Sequence, residues 1–391
     1  MIDDSLFAYM NEMVRKTPDS FHRYMYDRID WNSRLVGITG PRGVGKSTMV
    51  LQYLKSHRDE GSHLYVSADS MYFSTHTLVE LADEFVKENG TRLYIDEIHK
   101  YKGWSKELKQ IYDVHTDLQV VFTGSSVLDI RKGEADLSRR ALMYGMQGLS
   151  FREYLEFSHG IKSRVFTLDE ILSHKVELPS VHHPLPLFRE YCSKGYYPFA
   201  AEGSFEIRME QVVSQTVESD ILQYADMKAA TARKLKRMLH IVSQLAPYKP
   251  NAESLSTELG VSKNNISDYL LYLEYAEMIG QLRDETGGLR GLGKVEKVYI
   301  DNPSLMTVLA GGKPDIGSLR ETVFYNQMRV MNDVVSSKVS DFTIGKYTFE
   351  VGGRKKGKKQ IDGVANGIIV KDDIEYGHGQ TIPLWHFGFN Y

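Results

Sequence analysis

The sequence predicts an α/β fold whose first third is a parallel sheet with helices on both faces. Two observations support this prediction. Short apolar runs alternate with helix-like stretches such as 47–56 and 105–113. Strands of a parallel sheet are buried on both faces, so they read as continuous apolar runs. The runs predicted as strands are Leu35–Thr39, His63–Ser67, Arg92–Asp96, Leu118–Thr123 and Ala141–Gly145.

The composition is typical of a globular protein with several domains. The chain has 391 residues, of which 42% are hydrophobic and 25% are charged, and its formal net charge is −3. This length corresponds to about two to four domains, and so small a net charge does not by itself require a nucleic-acid partner. The single cysteine, Cys192, excludes an intramolecular disulfide and a cysteine-based zinc site. The acidic N-terminus does not resemble a signal peptide, and no apolar run reaches the roughly 18 residues of a membrane span, so we expect a cytoplasmic protein.

A phosphate-binding loop is predicted directly after the first strand. Residues 40–47, Gly40-Pro-Arg-Gly-Val-Gly-Lys-Ser47, match G-x-x-x-x-G-K-[ST] in full, between a predicted strand and a predicted helix. Its glycines let the backbone curl so that successive N–H groups point at phosphate oxygens, and the following helix adds its positive dipole end. We expect Lys46 to reach the β- and γ-phosphates of ATP and Ser47 to ligate Mg²⁺. The predicted nucleotide-binding residues are Gly40, Gly43, Val44, Gly45, Lys46, Ser47 and Thr48.

An acid pair ends the third predicted strand. Asp96 lies where a carboxylate can hold Mg²⁺ or its water, and Glu97 follows it, where it can orient or deprotonate the attacking water. The strand His63–Ser67 lies between the two motifs in the sequence. That order indicates the P-loop class, as in AAA+ proteins, in which an additional strand separates the two motif strands. The sequence lacks the [NT]-K-x-D signature of guanine binding, so we expect ATP rather than GTP.

Two further polar groups are candidates for catalysis. Thr123, Ser125 and Ser126 end the fourth predicted strand, where a hydroxyl such as that of Ser125 can sense the γ-phosphate; an ordinary strand-end turn is the alternative. Arg139 and Arg140 precede the fifth strand. Arg140 is a candidate arginine finger for the nucleotide of a neighbouring subunit, which would make the protein a homo-oligomer. A solvated basic pair is the alternative for both arginines.

The pattern changes after about residue 150. Residues 156–230 are largely helical in pattern, with an irregular loop predicted at Pro179–Pro186. Residues 231–312 contain three helical stretches followed by a β-ribbon, the order of a winged helix-turn-helix. The third helix carries near its start polar residues that can reach DNA bases or phosphates, although winged helices also dock proteins. These residues are Lys263, Asn264, Asn265 and Ser267.

The last segment, 313–391, is predicted to contain a helix at 317–332 and several strands, the last of them at Ile382–Tyr391. A basic run, Arg354–Lys359, interrupts this segment. The run is a candidate contact for nucleic-acid phosphates, and a solvated loop is the alternative.

These motifs resemble those of a prokaryotic AAA+ ATPase family whose members join an N-terminal P-loop domain to a C-terminal region of unknown function. The resemblance covers nearly the whole chain and is carried by the segments 40–48, 93–100, 104–109, 122–126, 149–154, 195–198 and 360–362. With the pattern changes above, it implies a P-loop AAA+ ATPase domain at 1–155, a helical linker or lid at 156–230, a winged helix at 231–312 and a restriction-nuclease-like domain at 313–391.

The nuclease-like domain departs from the pattern of active nucleases and is therefore predicted to be degenerate. Active nucleases of that type hold a metal with an acid on a first helix, then an aspartate, then Glu-x-Lys on the next strand. Glu321 and Asp362 would fill the first two places, but the third reads Ile369-Val-Lys371 and lacks the glutamate. The leading prediction is therefore ATP hydrolysis that drives or gates a conformational switch on DNA or a protein partner. The alternatives are a nucleic-acid-binding protein with ATP as a slow structural ligand, and a DNA nuclease.

Overall fold

The computed structural model describes residues 2–124, 137–245, 247, 249, 251–285, 293–357 and 359–391. The chain forms two compact units, Met1–Gly148 and Leu149–Tyr391. In the first unit the helices are α1 (Asp4–Lys16), α2 (Lys46–Ser56), α3 (Leu78–Lys87) and α4 (Trp104–Val114). Its strands are β1 (Leu35–Thr39), β2 (Ser62–Ser67), β3 (Gly90–Asp96), β4 (Gln119–Gly124) and β5 (Leu142–Gly145). All five runs predicted as strands are strands, with ends that differ by at most two residues.

The strand order of the first sheet is β2-β3-β4-β1-β5, and every pair is parallel. The two motif strands, β1 and β3, are therefore separated by one strand, as predicted. That strand is β4; the run His63–Ser67, which lies between the motifs in the sequence, forms β2 at the edge of the sheet. Because parallel strands end at the same edge, β1, β3 and β4 present their carboxyl ends side by side.

Both faces of this sheet are buried, since Leu35, Val36 and Ile38, which alternate between the faces along β1, are at most 1% exposed. Trp104 of α4 packs against Phe122 of β4 with ring centroids 5.6 Å apart, and both are buried. A β-carbon at Gly37 would lie 2.6 Å from Phe122 Cζ and 2.5 Å from Met143 Sδ, so the glycine leaves room for side chains of the neighbouring strands. The buried apolar surface fixes β1 between β4 and β5, which places the loop after β1 beside the ends of both strands.

The second unit combines helices with a hairpin and a mixed sheet. Its helices are α5 (Phe151–His159), α6 (Leu168–Leu172), α7 (Pro184–Glu190), α8 (Phe205–Gln215), α9 (Ile221–Ala225), α10 (Ala229–Leu245), α11 (Ala252–Leu259), α12 (Lys263–Tyr275), α13 (Pro303–Leu309) and α14 (Ile316–Met328). Its strands are β6 (Ile279–Arg283), β7 (Val295–Ile300), β8 (Val334–Ser336), β9 (Phe342–Ile344), β10 (Tyr347–Gly352), β11 (Gly367–Lys371) and β12 (Thr381–Pro383). Strands β6 and β7 form an antiparallel hairpin, and the larger sheet has the order β12-β11-β10-β9-β8.

Two segments of the second unit differ from the prediction because of proline. Pro184–Pro186 was expected to be irregular, but α7 begins at Pro184; the first turn of a helix tolerates proline because its N–H groups have no partner within the helix. The predicted strand Ile382–Tyr391 ends at Pro383, which lacks an N–H for further pairing, and Leu384–Phe389 form a 3₁₀ helix. That helix is buried throughout its length, which a strand with one exposed face would not be. No helix in the described residues is both long enough and apolar enough to cross a bilayer.

Candidate nucleotide-binding site

The loop between β1 and α2 is curled by three glycines. Gly40, Gly43 and Gly45 have φ values of 145°, 77° and 96°, in the region that side chains disfavour. A β-carbon at Gly40 would lie 2.1 Å from the carbonyl oxygen of Met146, so any larger residue would collide with the backbone after β5. Gly45 is the N-cap of α2 and offers no side chain to its first turn. The loop therefore has the backbone form that a phosphate cradle requires.

Lys46 is folded into this loop. The side chain is only 6% exposed, and its Nζ donates hydrogen bonds to the carbonyl oxygens of Gly40 at 2.8 Å and Pro41 at 2.7 Å. A buried ammonium group needs such acceptors to offset the loss of water. The positive charge predicted to meet phosphate is thus held on the loop that would surround the phosphate.

Asp96 is held by hydroxyl groups from three different elements. It is 8% exposed, and its Oδ1 accepts hydrogen bonds from Ser47 Oγ, at 2.9 Å, and from Thr123 Oγ1. Its Oδ2 accepts a hydrogen bond from the Tyr65 hydroxyl at 2.8 Å. Burial and then the negative charge of Asp96 raise the pKa of Tyr65 well above its ordinary value, so the phenol stays protonated and remains a donor.

Glu97 lies one residue beyond the strand, in a left-handed conformation with φ of 52°. Its N–H donates to Thr123 Oγ1 at 3.2 Å, and its Oε1 lies 3.8 Å from Nη1 of Arg42, the third residue of the loop. Burial raises the pKa of the Glu97 carboxyl, and the positive charge of Arg42 opposes that rise. The Glu97 side chain is 34% exposed and is therefore accessible to water, whereas Asp96 is buried.

Arg23 and Tyr65 belong to the site but were not anticipated from the sequence. The buried Arg23 guanidinium donates to the carbonyl oxygens of Val44, of Gln147 at 2.7 Å and of Gly148 at 2.9 Å, and so ties the loop to the segment after β5. No local signal marks this arginine. Tyr65 can be recognised from the sequence as a residue near the end of β2. Its contact with Asp96 depends on the pairing of β2 with β3, which the sequence does not show.

The predicted site residues do not all come together. Gly40, Gly43, Val44, Gly45, Lys46, Ser47 and Thr48 form the loop and first turn of α2, next to Asp96 and Glu97. Ser125 lies outside the described residues. Arg140 forms a bidentate pair with Asp113 of α4, at 2.9 and 3.1 Å, so a role as arginine finger stays a prediction and requires this pair to open.

The residues present fit Mg²⁺ bound together with a nucleotide. Ser47 Oγ and Asp96 Oδ1 lie side by side, and oxygen atoms of this kind are the ligands that Mg²⁺ prefers. The part of the chain that the structure describes contains no group of three or more His, Cys, Asp or Glu side chains able to hold a metal. A cation at Ser47 would thus depend on water and phosphate oxygens for its other ligands, as Mg²⁺ commonly does.

Of the two acids expected in the nuclease-like region, Glu321 is paired and Asp362 is exposed. Glu321 Oε2 accepts hydrogen bonds from the Tyr299 hydroxyl at 2.7 Å and from Lys297 Nζ at 3.1 Å. Lys297 also lies 3.2 Å from Asp341 Oδ1, so an ammonium group stands between two carboxylates. Asp362 is exposed in the turn region between β10 and β11.

The candidate nucleic-acid contacts lie on the surface of the second unit. In the basic run, Arg354, Lys355 and Lys359 are exposed, Lys356 pairs with Glu350, and Lys358 lies outside the described residues. At the start of α12, Lys263, Asn264, Asn265 and Ser267 are all exposed. Both sets of side chains can therefore be reached by a partner.

Comparison with known proteins finds a family match for the region that contains the loop and the acid pair. Residues 32–155 match a family model described as an AAA domain, and residues 185–315 match a domain of unknown function, DUF8612. The chain is 24% identical over 428 residues to an uncharacterized protein of Methanocaldococcus jannaschii, with 94% of this chain and 90% of the relative covered. Among solved structures it is similar to a Walker-type ATPase of Pyrococcus abyssi (12% identity, 76% of this chain and 99% of that chain, TM-score 0.44) and to AMPPCP-bound DnaA from Aquifex aeolicus (12%, 70% and 89%, 0.25). The family match covers the strands that carry the loop and the acid pair described above, so residues 32–155 resemble an AAA domain with a phosphate-binding loop.

Proposed function

We propose that this protein is a Mg²⁺-dependent ATPase that binds ATP on the loop 40–47 and hydrolyses it with Glu97. The observation that carries the proposal is the arrangement around Asp96. Hydroxyl groups of Ser47, Thr123 and Tyr65 fix this carboxylate against the first turn of α2, and Glu97 follows it in the chain. A fixed carboxylate beside a phosphate-binding loop is the arrangement that phosphoryl transfer needs.

Each residue of the site has a role that follows from its position. Lys46 would donate to the phosphate oxygens in place of the carbonyl oxygens of Gly40 and Pro41, which it now contacts. Ser47 and Asp96 would hold Mg²⁺, which supplies positive charge to the phosphates when bound. Glu97 would orient a water molecule and accept its proton. Its raised pKa makes it a stronger base than an ordinary carboxylate.

We infer that the second unit delivers the effect of ATP to a partner. Helices α10, α11 and α12 followed by the hairpin β6–β7 have the order of a winged helix-turn-helix. The polar side chains at the start of α12 are exposed, which supports contact with DNA or with a protein through this helix. ATP would then gate a conformational switch, and in the alternative function it would act as a slow structural ligand of a nucleic-acid-binding protein.

The nuclease alternative is opposed by the contacts of Lys297. Its ammonium group neutralises Glu321 and Asp341, and the two carboxylates are thereby engaged in place of a metal ion. Burial alone would lower the pKa of Lys297, but the two carboxylates raise it overall, so the lysine remains charged. Two-carboxylate metal sites require such oxygens to be available to the cation.

The experiment is steady-state ATP hydrolysis with Mg²⁺ by the full chain, in the presence and absence of double-stranded DNA. Glu97→Gln should bind ATP but hydrolyse it about 100-fold or more slowly, because a general base typically contributes this much. Glu12→Gln, in an exposed pair on α1, serves as the matched control.

Each outcome of this experiment decides between the candidate functions. Hydrolysis that DNA stimulates, and that the Glu97 variant lacks, supports an ATPase acting on nucleic acid. Hydrolysis that DNA does not change directs the search to a protein partner. ATP binding with negligible turnover in the wild type supports the slow structural ligand, and unchanged turnover in the Glu97 variant would exclude the assigned base.

A further inference from the structure

The two acids of the site are held in contrasting ways. Asp96 accepts hydrogen bonds from three hydroxyl groups and is buried. The carboxyl of Glu97, in contrast, faces Arg42 across 3.8 Å, a distance that allows an ion pair but no direct hydrogen bond. The acid assigned to hold the metal is therefore fixed, whereas the acid assigned to activate water is paired with a cation of the phosphate-binding loop itself.

From this pairing we propose that Arg42 senses the γ-phosphate and positions Glu97. Without a γ-phosphate, Arg42 holds the Glu97 carboxylate; with ATP bound, its guanidinium turns to the γ-phosphate and releases Glu97 to orient water. The inference deepens the proposed function and rests on it. It makes Arg42 a residue that distinguishes ATP from ADP, because the exchange needs the phosphate that ADP lacks.

The backbone on both sides of Arg42 is fixed, so the exchange requires only side-chain motion. Before Arg42, the carbonyl oxygen of Thr39 accepts a hydrogen bond from the Met146 N–H at 2.8 Å, a contact that does not involve Lys46. Arg23 donates to the carbonyl oxygen of Val44, which follows Arg42. The Arg42 side chain is 17% exposed and extends from the loop that would surround the phosphates. A guanidinium group can pair with a carboxylate or with a phosphate.

The backbone of Glu97 is fixed as well. Its N–H is tied to Thr123 Oγ1 at 3.2 Å, and its backbone is held in the left-handed region, so the residue itself stays in place. Loss of Arg42 frees only the carboxyl group. A partly exposed ion pair contributes little to stability, whereas arginine forms bidentate, charge-assisted bonds with phosphate. The exchange from carboxylate to γ-phosphate is therefore favourable.

Nucleotide affinity measures the exchange without relying on turnover. The full chain would be titrated calorimetrically with Mg²⁺ and either ADP or AMPPCP, a non-hydrolysable ATP analogue. Arg42→Gln should weaken AMPPCP binding about tenfold, a loss typical of one charge-assisted contact, and change ADP binding by less than about twofold. Arg42→Lys should fall between the two, since lysine keeps the charge but not the planar fork. Arg15→Gln, in an exposed pair on α1, is the matched control.

A second substitution tests whether Glu97 competes for Arg42. In the otherwise wild-type protein, Glu97→Gln releases the arginine and should raise the ratio of AMPPCP affinity to ADP affinity. In the Arg42→Gln protein there is no arginine to release, so Glu97→Gln should not produce this rise. Simple removal of repulsion between Glu97 and the phosphate would act equally in both backgrounds, so equal effects would overturn the competition.

The outcomes separate this inference from the function on which it rests. If the wild type binds neither nucleotide, both fall. If it binds both and Arg42→Gln weakens both equally or neither, the ATPase function stands and the sensor role of Arg42 is wrong. A selective loss of AMPPCP affinity together with non-additive effects of the two substitutions supports the sensor.

Discussion

The Ser47 hydroxyl donates a hydrogen bond to Asp96 Oδ1 at 2.9 Å, and this contact joins the first turn of α2 to the carboxyl end of β3. The two residues are 49 positions apart in the sequence. The contact brings the phosphate-binding loop and the acid pair into one site, because β4 separates their strands and supplies Thr123 to the same carboxylate oxygen.

Loss of the Lys46 ammonium group should abolish tight nucleotide binding. We expect Lys46→Ala to weaken ATP binding by about 10- to 100-fold, since a hydrogen bond to a charged group contributes about 1.5–3 kcal/mol. Calorimetric titration with Mg²⁺ and nucleotide measures this loss. Lys55→Ala removes a partly exposed lysine from the same helix, where it pairs with Asp19, and should bind ATP as the wild type does. Equal affinities in the two variants would contradict the role of Lys46.

Tyr65 should matter for the metal rather than for the nucleotide. Tyr65→Phe removes one hydrogen bond to Asp96, so we expect the Mg²⁺ concentration for half-maximal hydrolysis to rise about three- to tenfold, with KM for ATP at saturating Mg²⁺ unchanged. Tyr94 is the β3 residue paired with Tyr65 in register, and its hydroxyl lies 3.3 Å from His63 instead. Tyr94→Phe should therefore leave the Mg²⁺ dependence intact. If Tyr65→Phe changed only the KM for ATP and not the Mg²⁺ dependence, the role of Tyr65 in holding the metal ligand would be wrong.

The raised pKa of Glu97 predicts a pH-dependent effect on stability. Its carboxyl has a pKa above the ordinary 4.5, because burial and the nearby Asp96 outweigh the attraction of Arg42, Lys100 and Lys46. The folded state thus binds more protons than the unfolded state between pH 4.5 and the raised pKa, so ionising Glu97 costs stability as the pH rises through this window. Glu97→Gln removes that cost. Its thermal unfolding midpoint should exceed that of the wild type at pH 7, and the difference should shrink toward pH 4.

This pH dependence distinguishes charge from packing. Thermal melts of both proteins at several pH values between 4 and about 8 measure the difference. A constant difference across that range would mean that the substitution acts through shape and not through the ionisation of Glu97.

Lys297 should be essential to the second unit. Lys297→Met leaves Glu321 and Asp341 without their shared cation, and the lysine side chain is only 15% exposed. We expect a loss of about 3 kcal/mol in the free energy of unfolding, the lower end of the range for breaking a buried ion pair. Urea denaturation measures it. Lys294→Met, in the exposed pair with Glu296, should cost less than about 1 kcal/mol. A Lys297 variant as stable as the Lys294 variant would contradict this assignment.

Some features outside the nucleotide site can also be predicted from the sequence, and others cannot. The sequence predicted three helical stretches followed by a β-ribbon at 231–312, and the structure has α10, α11 and α12 followed by the hairpin β6–β7, since helix caps act locally. It misjudged Pro184, because proline is compatible with a first helical turn as well as with a loop. The contact of Lys297 with Glu321 and Asp341 was not visible, since three separate elements meet there.

The features that can be predicted from the sequence are local: the strands, the glycines of the loop, and the residue types of Lys46, Ser47, Asp96 and Glu97. A curled phosphate-binding loop needs particular φ values at successive positions, so its requirement is written in consecutive residues. The residues that hold the loop and the acid pair in place follow only from the tertiary structure. Arg23, Tyr65 and Thr123 reach the loop and the acids because of the order in which parallel strands pair, and that order depends on burying apolar faces between segments far apart in the chain.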